Sequence, residues 1–225
     1  MKISYRWFGL ASVFAIMVVL TGVHDLGAFQ SVVLYEDSFN SDRSGWKENA
    51  IWTYTGGQYR VFLRNPGSIS GSELPDVSVF GRSTYCAEVD IKLLTGSGLA
   101  EDGFVGFYIG GTDIPRFSSV PDRAVLFGLD SFERLLILRV TRESSGLIDL
   151  GVISIINDAF EDPNVFHTLQ LDADGSRIRV SMDGEFVTTV SAAASGNMGF
   201  MAFTFDDPNL NARFDNMVIR NVCEE

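Results

Sequence analysis

The stretch FHTLQLDADGSRIRVSMDGEFVTTV, residues 166–190, holds two Asp-Gly pairs, Asp174-Gly175 and Asp183-Gly184, each between segments that alternate apolar and polar residues. Asp-Gly tolerates the positive φ of a type I′ two-residue turn, so the stretch is predicted to fold as three antiparallel strands in a meander. A two-residue loop at Asp183-Gly184 sets Val180 opposite Val187. The same period of two recurs in TYCAEVDIKLL, where Tyr85, Ala87, Val89, Ile91 and Leu93 share one face and Cys86, Glu88, Asp90 and Lys92 the other. GFVGFYIG, AVLFGLD, ERLLILRVT and GLIDLGVISII read as further strands, and the last two, almost wholly apolar, are expected to be covered on both faces. No segment of helical length carries a 3.6-residue apolar stripe. About a dozen strands without helices predict two packed antiparallel sheets in a single all-β domain. The loops at 95–103 and 115–121 are expected to form its rims.

The N-terminus fixes the compartment. Lys2 and Arg6 precede an uncharged apolar run from Trp7 to Val23, which His24-Asp25 ends, the layout of a secretory signal. Cleavage after Ala28 is expected, leaving 29–225 as the sandwich domain. The alternative is an uncleaved anchor, since about 17 apolar residues lie at the short edge of what spans a bilayer; membrane contact is expected only through that segment. The protein is therefore expected to be secreted, periplasmic or cell-surface. The chain has 17 Lys and Arg against 29 Asp and Glu, a net charge of −12, and loss of residues 1–28 leaves it more acidic still. Such a surface repels phosphate backbones and argues against a nucleic-acid partner. The two cysteines of an exported chain are most simply one disulfide, Cys86 to Cys223, two free thiols being the alternative.

The order of several short motifs carries a resemblance. Glu36, Asp37 and Phe39 open the first strand, Trp46 follows, and then come GGQYRV (56–61), VGFYIG (105–110), RIRVSMDGEFV (177–187), GNMGFMAFTF (196–205) and RFDNMVI (213–219). Over about 36–221 the chain resembles the concanavalin A-like lectin/glucanase superfamily, and within it the exported laminin-G-like jelly-roll domains of bacteria. The resemblance implies a two-sheet antiparallel jelly-roll sandwich. It implies no single activity, because the superfamily hosts lectins, carbohydrate-binding modules, glycosidases and adhesion modules.

Four candidate sites follow. Glucanases of the superfamily carry Glu-x-Asp-x-Glu on a strand, the outer acids acting as nucleophile and acid/base. Here Glu88 and Asp90 match, but Lys92 stands third, and an ammonium cannot replace the carboxylic acid that protonates the leaving oxygen. His167, the one histidine after the signal, heads a strand, and no Gly-x-Ser-x-Gly elbow supports a triad. Trp52, Tyr54 and Tyr59 are candidates for an aromatic platform that stacks on sugar rings. Glu36, Asp37 and Asp215 come together if the first and last strands pair, and could supply part of a structural calcium shell. Asp207-Pro208-Asn209 is turn chemistry. The parity of Phe214, Met217 and Ile219 requires a β-bulge near Asp215-Asn216, with Asp215 as its stabiliser or as the calcium ligand. The expected function is non-catalytic recognition of carbohydrate or another extracellular or envelope polymer. The alternatives are a structural or assembly subunit of an envelope or extracellular protein complex, and a divergent glycan-active enzyme.

Overall fold

Strand formation follows the period-two pattern throughout. The computed structural model describes residues 30–41, 45–100, 102–112, 120–144 and 147–223, and the expected signal at 1–28 and most of the 115–121 loop lie outside them. The described strands form two antiparallel sheets. One sheet runs, in spatial order, β12 (Glu185–Ser191), β11 (Arg177–Met182), β10 (His167–Asp174), β5 (Thr84–Leu94), β14 (Leu210–Arg220), β3 (Tyr59–Leu63) and β2 (Trp52–Tyr54), with β1 (Val33–Asp37) as its eighth strand, paired to β14. The other runs β4 (Ile69–Glu73), β13 (Asn197–Thr204), β6 (Gly103–Thr112), β7 (Arg123–Asp130), β8 (Leu135–Arg142) and β9 (Ile148–Ile156).

The meander of β10, β11 and β12 forms as the Asp-Gly pairs require, with two adjustments. Asp183 and Gly184 both take positive φ, 51° and 83°, but a register shift after Val180 sets it opposite Thr188 rather than Val187. Asp174 pairs with Arg177, so the first turn slides by one residue to Gly175-Ser176, with Gly175 in the left-handed region at φ 64°.

Tyr85, Ala87, Val89, Ile91 and Leu93 of β5 all point into the sandwich and are buried, as their alternation predicts. The bulge in β14 is present: the register with β5 shifts between Asp215 and Val218, and Asn216 sits at φ 46°. Phe214, Met217 and Ile219 are thereby all buried despite the change of parity. Beyond the bulge β1 takes over the edge that β3 occupies before it. Between the sheets lies an aromatic seam, in which Phe200 stacks on Phe214 at 3.9 Å and on Trp46 at 4.6 Å, and Trp52 stacks on Tyr59 at 5.3 Å.

The six-stranded sheet is apolar on both faces. Its outer face carries a second cluster that includes Phe104, Tyr108, Leu126, Leu138, Met201 and Phe203. β8 is accordingly buried on both faces, as its sequence predicts, but β9 is not: it is an edge strand, with Val152 62% and Ile155 46% exposed. Residues of β4 and β9, at opposite edges of this sheet, line one groove of about 690 Å³ with Phe203 and Phe205, so the outer face is curled. The connection from β13 to β14 crosses between the sheets through the Asp-rich segment. Its backbone N–H groups at Asp206 and Asp207 donate to Asp102 of the 95–103 loop, and Asn209 takes φ 67°.

Candidate functional site

The outer face of the eight-stranded sheet concentrates the polar chemistry. Alternation in β5 turns Glu88, Asp90 and Lys92 outward, and β10 and β14 flank them. Gln170 Nε2 donates to Glu88 Oε1 at 3.2 Å, and Arg220 Nη1 to Glu88 Oε2 at 2.9 Å. Thr168 Oγ1 donates to Asp90 Oδ1 at 2.6 Å, and Asn216 Nδ2 to Asp90 Oδ2 at 2.8 Å. Each carboxylate thus has both oxygens held by side chains of neighbouring strands. The bulge is what brings Asn216 to Asp90. Towards the other end of β5, Thr84, Gln170, Asp172, Arg179 and Ser181 line a groove of about 590 Å³ that the C-terminal residues 221–223 also wall. The half-exposed ring of Phe186 stands beside it, with the Arg179 guanidinium 4.8 Å from the ring centroid.

The disulfide expected between Cys86 and Cys223 is formed. Cys86 lies on the polar parity of β5, and Cys223 reaches it because the chain leaves the sheet after Arg220. His167 begins β10 as expected; its Nδ1 lies 2.7 Å from Asp183 Oδ2 and its Nε2 3.1 Å from the Asp162 carbonyl, which ties the strand end to the β11–β12 turn.

Two expectations need correction. Trp52 and Tyr59 do not form an accessible aromatic platform, since both are fully buried. Trp52 Nε1 donates to Ser70 Oγ at 2.9 Å, and the Tyr59 hydroxyl is bonded to Ser72 Oγ and to the Lys47 carbonyl. Tyr54, on the same parity as Trp52, packs its ring 5.1 Å from Tyr59. These rings hold the two sheets together. The proposed calcium ligands do not assemble either. Asp37 faces inward with Oδ1 accepting from the Phe39 N–H and Oδ2 from Trp46 Nε1 and the Tyr35 hydroxyl, while Glu36 alternates to the opposite, exposed side. Asp215 faces Asp90 across the register and accepts from the Asn216 N–H. Among the described residues no group of three or more His, Cys, Asp or Glu side chains is placed to hold a metal ion.

The outward residues of β3, β10 and β14 that complete this face, among them Arg60, Gln170, Arg213 and Arg220, were not singled out from the sequence. Only cross-strand register brings them beside Glu88-x-Asp90-x-Lys92.

No family description and no curated sequence matches the chain. Solved structures share its architecture. The carbohydrate binding module CBM66 from Bacillus subtilis is 19% identical, with a TM-score of 0.57 over 78% of this chain and 95% of that one. A protein of unknown function with a galectin-like fold, also from Bacillus subtilis, reaches a TM-score of 0.65 at 9% identity, over 86% and 98%. The catalytic domain of an endo-1,3-β-glucanase (laminarinase) from Thermotoga petrophila gives 0.59 at 8% identity, over 87% and 99%. At such identities the likeness is one of fold. The chain has a two-sheet antiparallel jelly-roll sandwich fold, which these structures share.

Proposed function

We propose that this protein is a non-catalytic carbohydrate-binding domain that acts outside the cytoplasm and binds its polymer along the outer face of the eight-stranded sheet. The observation that carries this reading is the state of the two carboxylates at the centre of that face. Both oxygens of Glu88 and of Asp90 are engaged by Gln170, Arg220, Thr168 and Asn216. A retaining glycosidase needs two carboxyl groups about 5–5.5 Å apart that are available to react. Fixed amides, hydroxyls and charges instead form a pre-oriented lattice of donors and acceptors, which is what recognition of sugar hydroxyls uses. The groove lined by Gln170, Asp172 and Arg179 extends that lattice. The fold's occurrence in a carbohydrate binding module supports the reading, and the disulfide supports an oxidising compartment.

The test is binding of the purified protein to a panel of polysaccharides, with reducing ends assayed in parallel. Binding without release of reducing ends is expected, and Gln170→Ala should weaken it about tenfold through loss of a polar contact and of the Glu88 brace. Hydrolysis that disappears in Glu88→Gln would replace this reading with an enzymatic one.

A second reading, an assembly subunit of an extracellular or envelope complex, is favoured by a different observation. The edge strand β9 exposes Val152 and Ile155, and Leu147 just before it is 66% exposed. An unpaired edge with apolar side chains is a template for another chain. Co-purification with a partner at fixed stoichiometry, lost in Val152→Lys, would support it.

A further inference from the structure

On the outer face of the eight-stranded sheet, register places Arg60 of β3 opposite Arg213 of β14, and Arg213 opposite Lys92 of β5. Like charges directly opposite each other destabilise a sheet, and here two such pairs adjoin. The chain has more acids than bases, 29 against 17, so composition does not force cations together. Among the described residues the ion pairs fall elsewhere, at Arg134, Arg142, His167 and Arg220. The hydrogen bonds of the row go to neutral amides: Arg60 Nε to Asn211 Oδ1 at 3.0 Å and Arg213 Nη1 to Gln58 Oε1 at 2.9 Å. Arg213 Nε is shut from solvent and has no acceptor among the described residues, a costly state for a buried donor.

Aromatic rings flank the row at both ends. Phe62 lies under the Arg60 and Arg64 guanidinium groups, at 5.0 and 5.7 Å, and Phe166 lies 4.4 Å from Lys92 Nζ. The neighbouring outward row is acidic, Asp90 opposite Asp215. The positive charge is therefore a narrow strip bounded on one side by carboxylates, unlike the broad basic patch that tracks a nucleic-acid backbone.

We propose that Arg60, Arg213 and Lys92 form the binding strip for an acidic polysaccharide. Its uronate carboxylates lie on the three cations, two of which, Arg60 and Lys92, are held in place against the rings of Phe62 and Phe166. The strip gives the bound anion charge-assisted bonds from adjacent strands and relieves the repulsion within the row. The cations also account for Lys92, which breaks the glucanase motif. This inference rests on the carbohydrate-binding reading above and names the substrate class.

Affinity electrophoresis of the purified full chain tests it, in gels containing polygalacturonate, its fully methyl-esterified form, a neutral β-glucan or polyglutamate. Polygalacturonate alone is expected to retard the protein, less so as salt rises. Arg60→Gln and Lys92→Gln, at the two ends of the strip, should each weaken retardation at least about tenfold, with melting temperatures within a few degrees of the parent confirming that both fold. Equal retardation by the methyl-esterified polymer or the neutral glucan, unaffected by the substitutions, overturns the charge strip and leaves the carbohydrate reading standing. Equal retardation by polyglutamate overturns sugar recognition at the strip. No retardation in any gel overturns both proposals.

Discussion

Asp37 ends β1 with one carboxylate oxygen on the Phe39 N–H and the other on the Trp46 indole and the Tyr35 hydroxyl. It therefore fixes the first strand, the chain reversal after it and the central indole of the seam. Removing it leaves buried donors without an acceptor, and Asp37→Ala should lower the unfolding free energy by about 3 kcal/mol in urea denaturation, against about 0.5 or less for exposed Glu36→Ala. Tyr108 gives the opposite case. Its hydroxyl is buried with no partner among the described residues, and burial, reinforced by nearby Glu73, pushes its pKa well above the ordinary phenol value. Tyr108→Phe should be neutral or slightly stabilising; a loss above about 1 kcal/mol would show that the hydroxyl is bonded. Asp215 links residue to pH. Burial raises its carboxyl pKa, with Asp90 and Asp37 adding to the shift and the Asn216 N–H and Lys92 opposing it. A raised folded-state value favours the protonated form, so its contribution is present below the ordinary Asp range, about 4, and is lost as pH rises through the raised value. Asp215→Asn, which keeps an acceptor for Asn216, should melt higher than the parent at pH 7, and the difference should vanish near pH 3. A constant difference across that window would show that charge is not the cause.

At the scale of the element, the curl of the six-stranded sheet depends on Gly106 and Gly128, which face each other across β6 and β7. A Cβ on Gly106 would lie 2.2 Å from the Phe127 carbonyl oxygen, and one on Gly128 2.1 Å from that of Val105. With no side chains the two backbones bend together at that point, as glycine in a strand interior permits. Gly128→Ala has backbone in its way on a rigid strand and should cost roughly 2–3 kcal/mol or prevent folding; thermal melting beside the surface control Gly151→Ala, whose Cβ meets only Arg139 Cβ at 3.9 Å, checks this. These elements also mark what the sequence discloses. The alternation of β5, the Asp183-Gly184 turn and the bulge at Asp215-Asn216 were legible because each is a local pattern of face or turn chemistry. The edge position of β9 was not, because apolar runs look alike whether a neighbouring strand covers them or not. Nor was the burial of Trp52 and Tyr59, since parity says which residues share a face and not which face is inward.

For the whole molecule the same limit separates fold from site. The outer-face row of Arg60, Arg213 and Lys92 draws on residues from three strands widely separated in sequence. No spacing rule reaches across such a distance, whereas one long-range link, Cys86 to Cys223, was accessible because a chain with two cysteines offers one pairing. That link closes 137 residues and ties the C-terminus to β5, next to the carboxylate lattice and the groove walled by residues 221–223. In the chain-entropy picture a loop of this length stabilises by about 5 kcal/mol. For a domain near 200 residues that corresponds to a fall in Tm of roughly 10–20 °C when both cysteines are replaced by serine. Because the bond also anchors the segment that walls the groove, its loss should release residues 221–223 first. Arg220, whose Nη1 braces Glu88 from the last position of β14, then loses its support. Hydrogen exchange on the Cys86→Ser/Cys223→Ser protein should therefore show protection lost at 217–220 in β14 and in its partner β1, with 210–214, separated from the disulfide by the bulge, still protected. Uniform loss along β14 would mean that the disulfide acts on the unfolded chain alone.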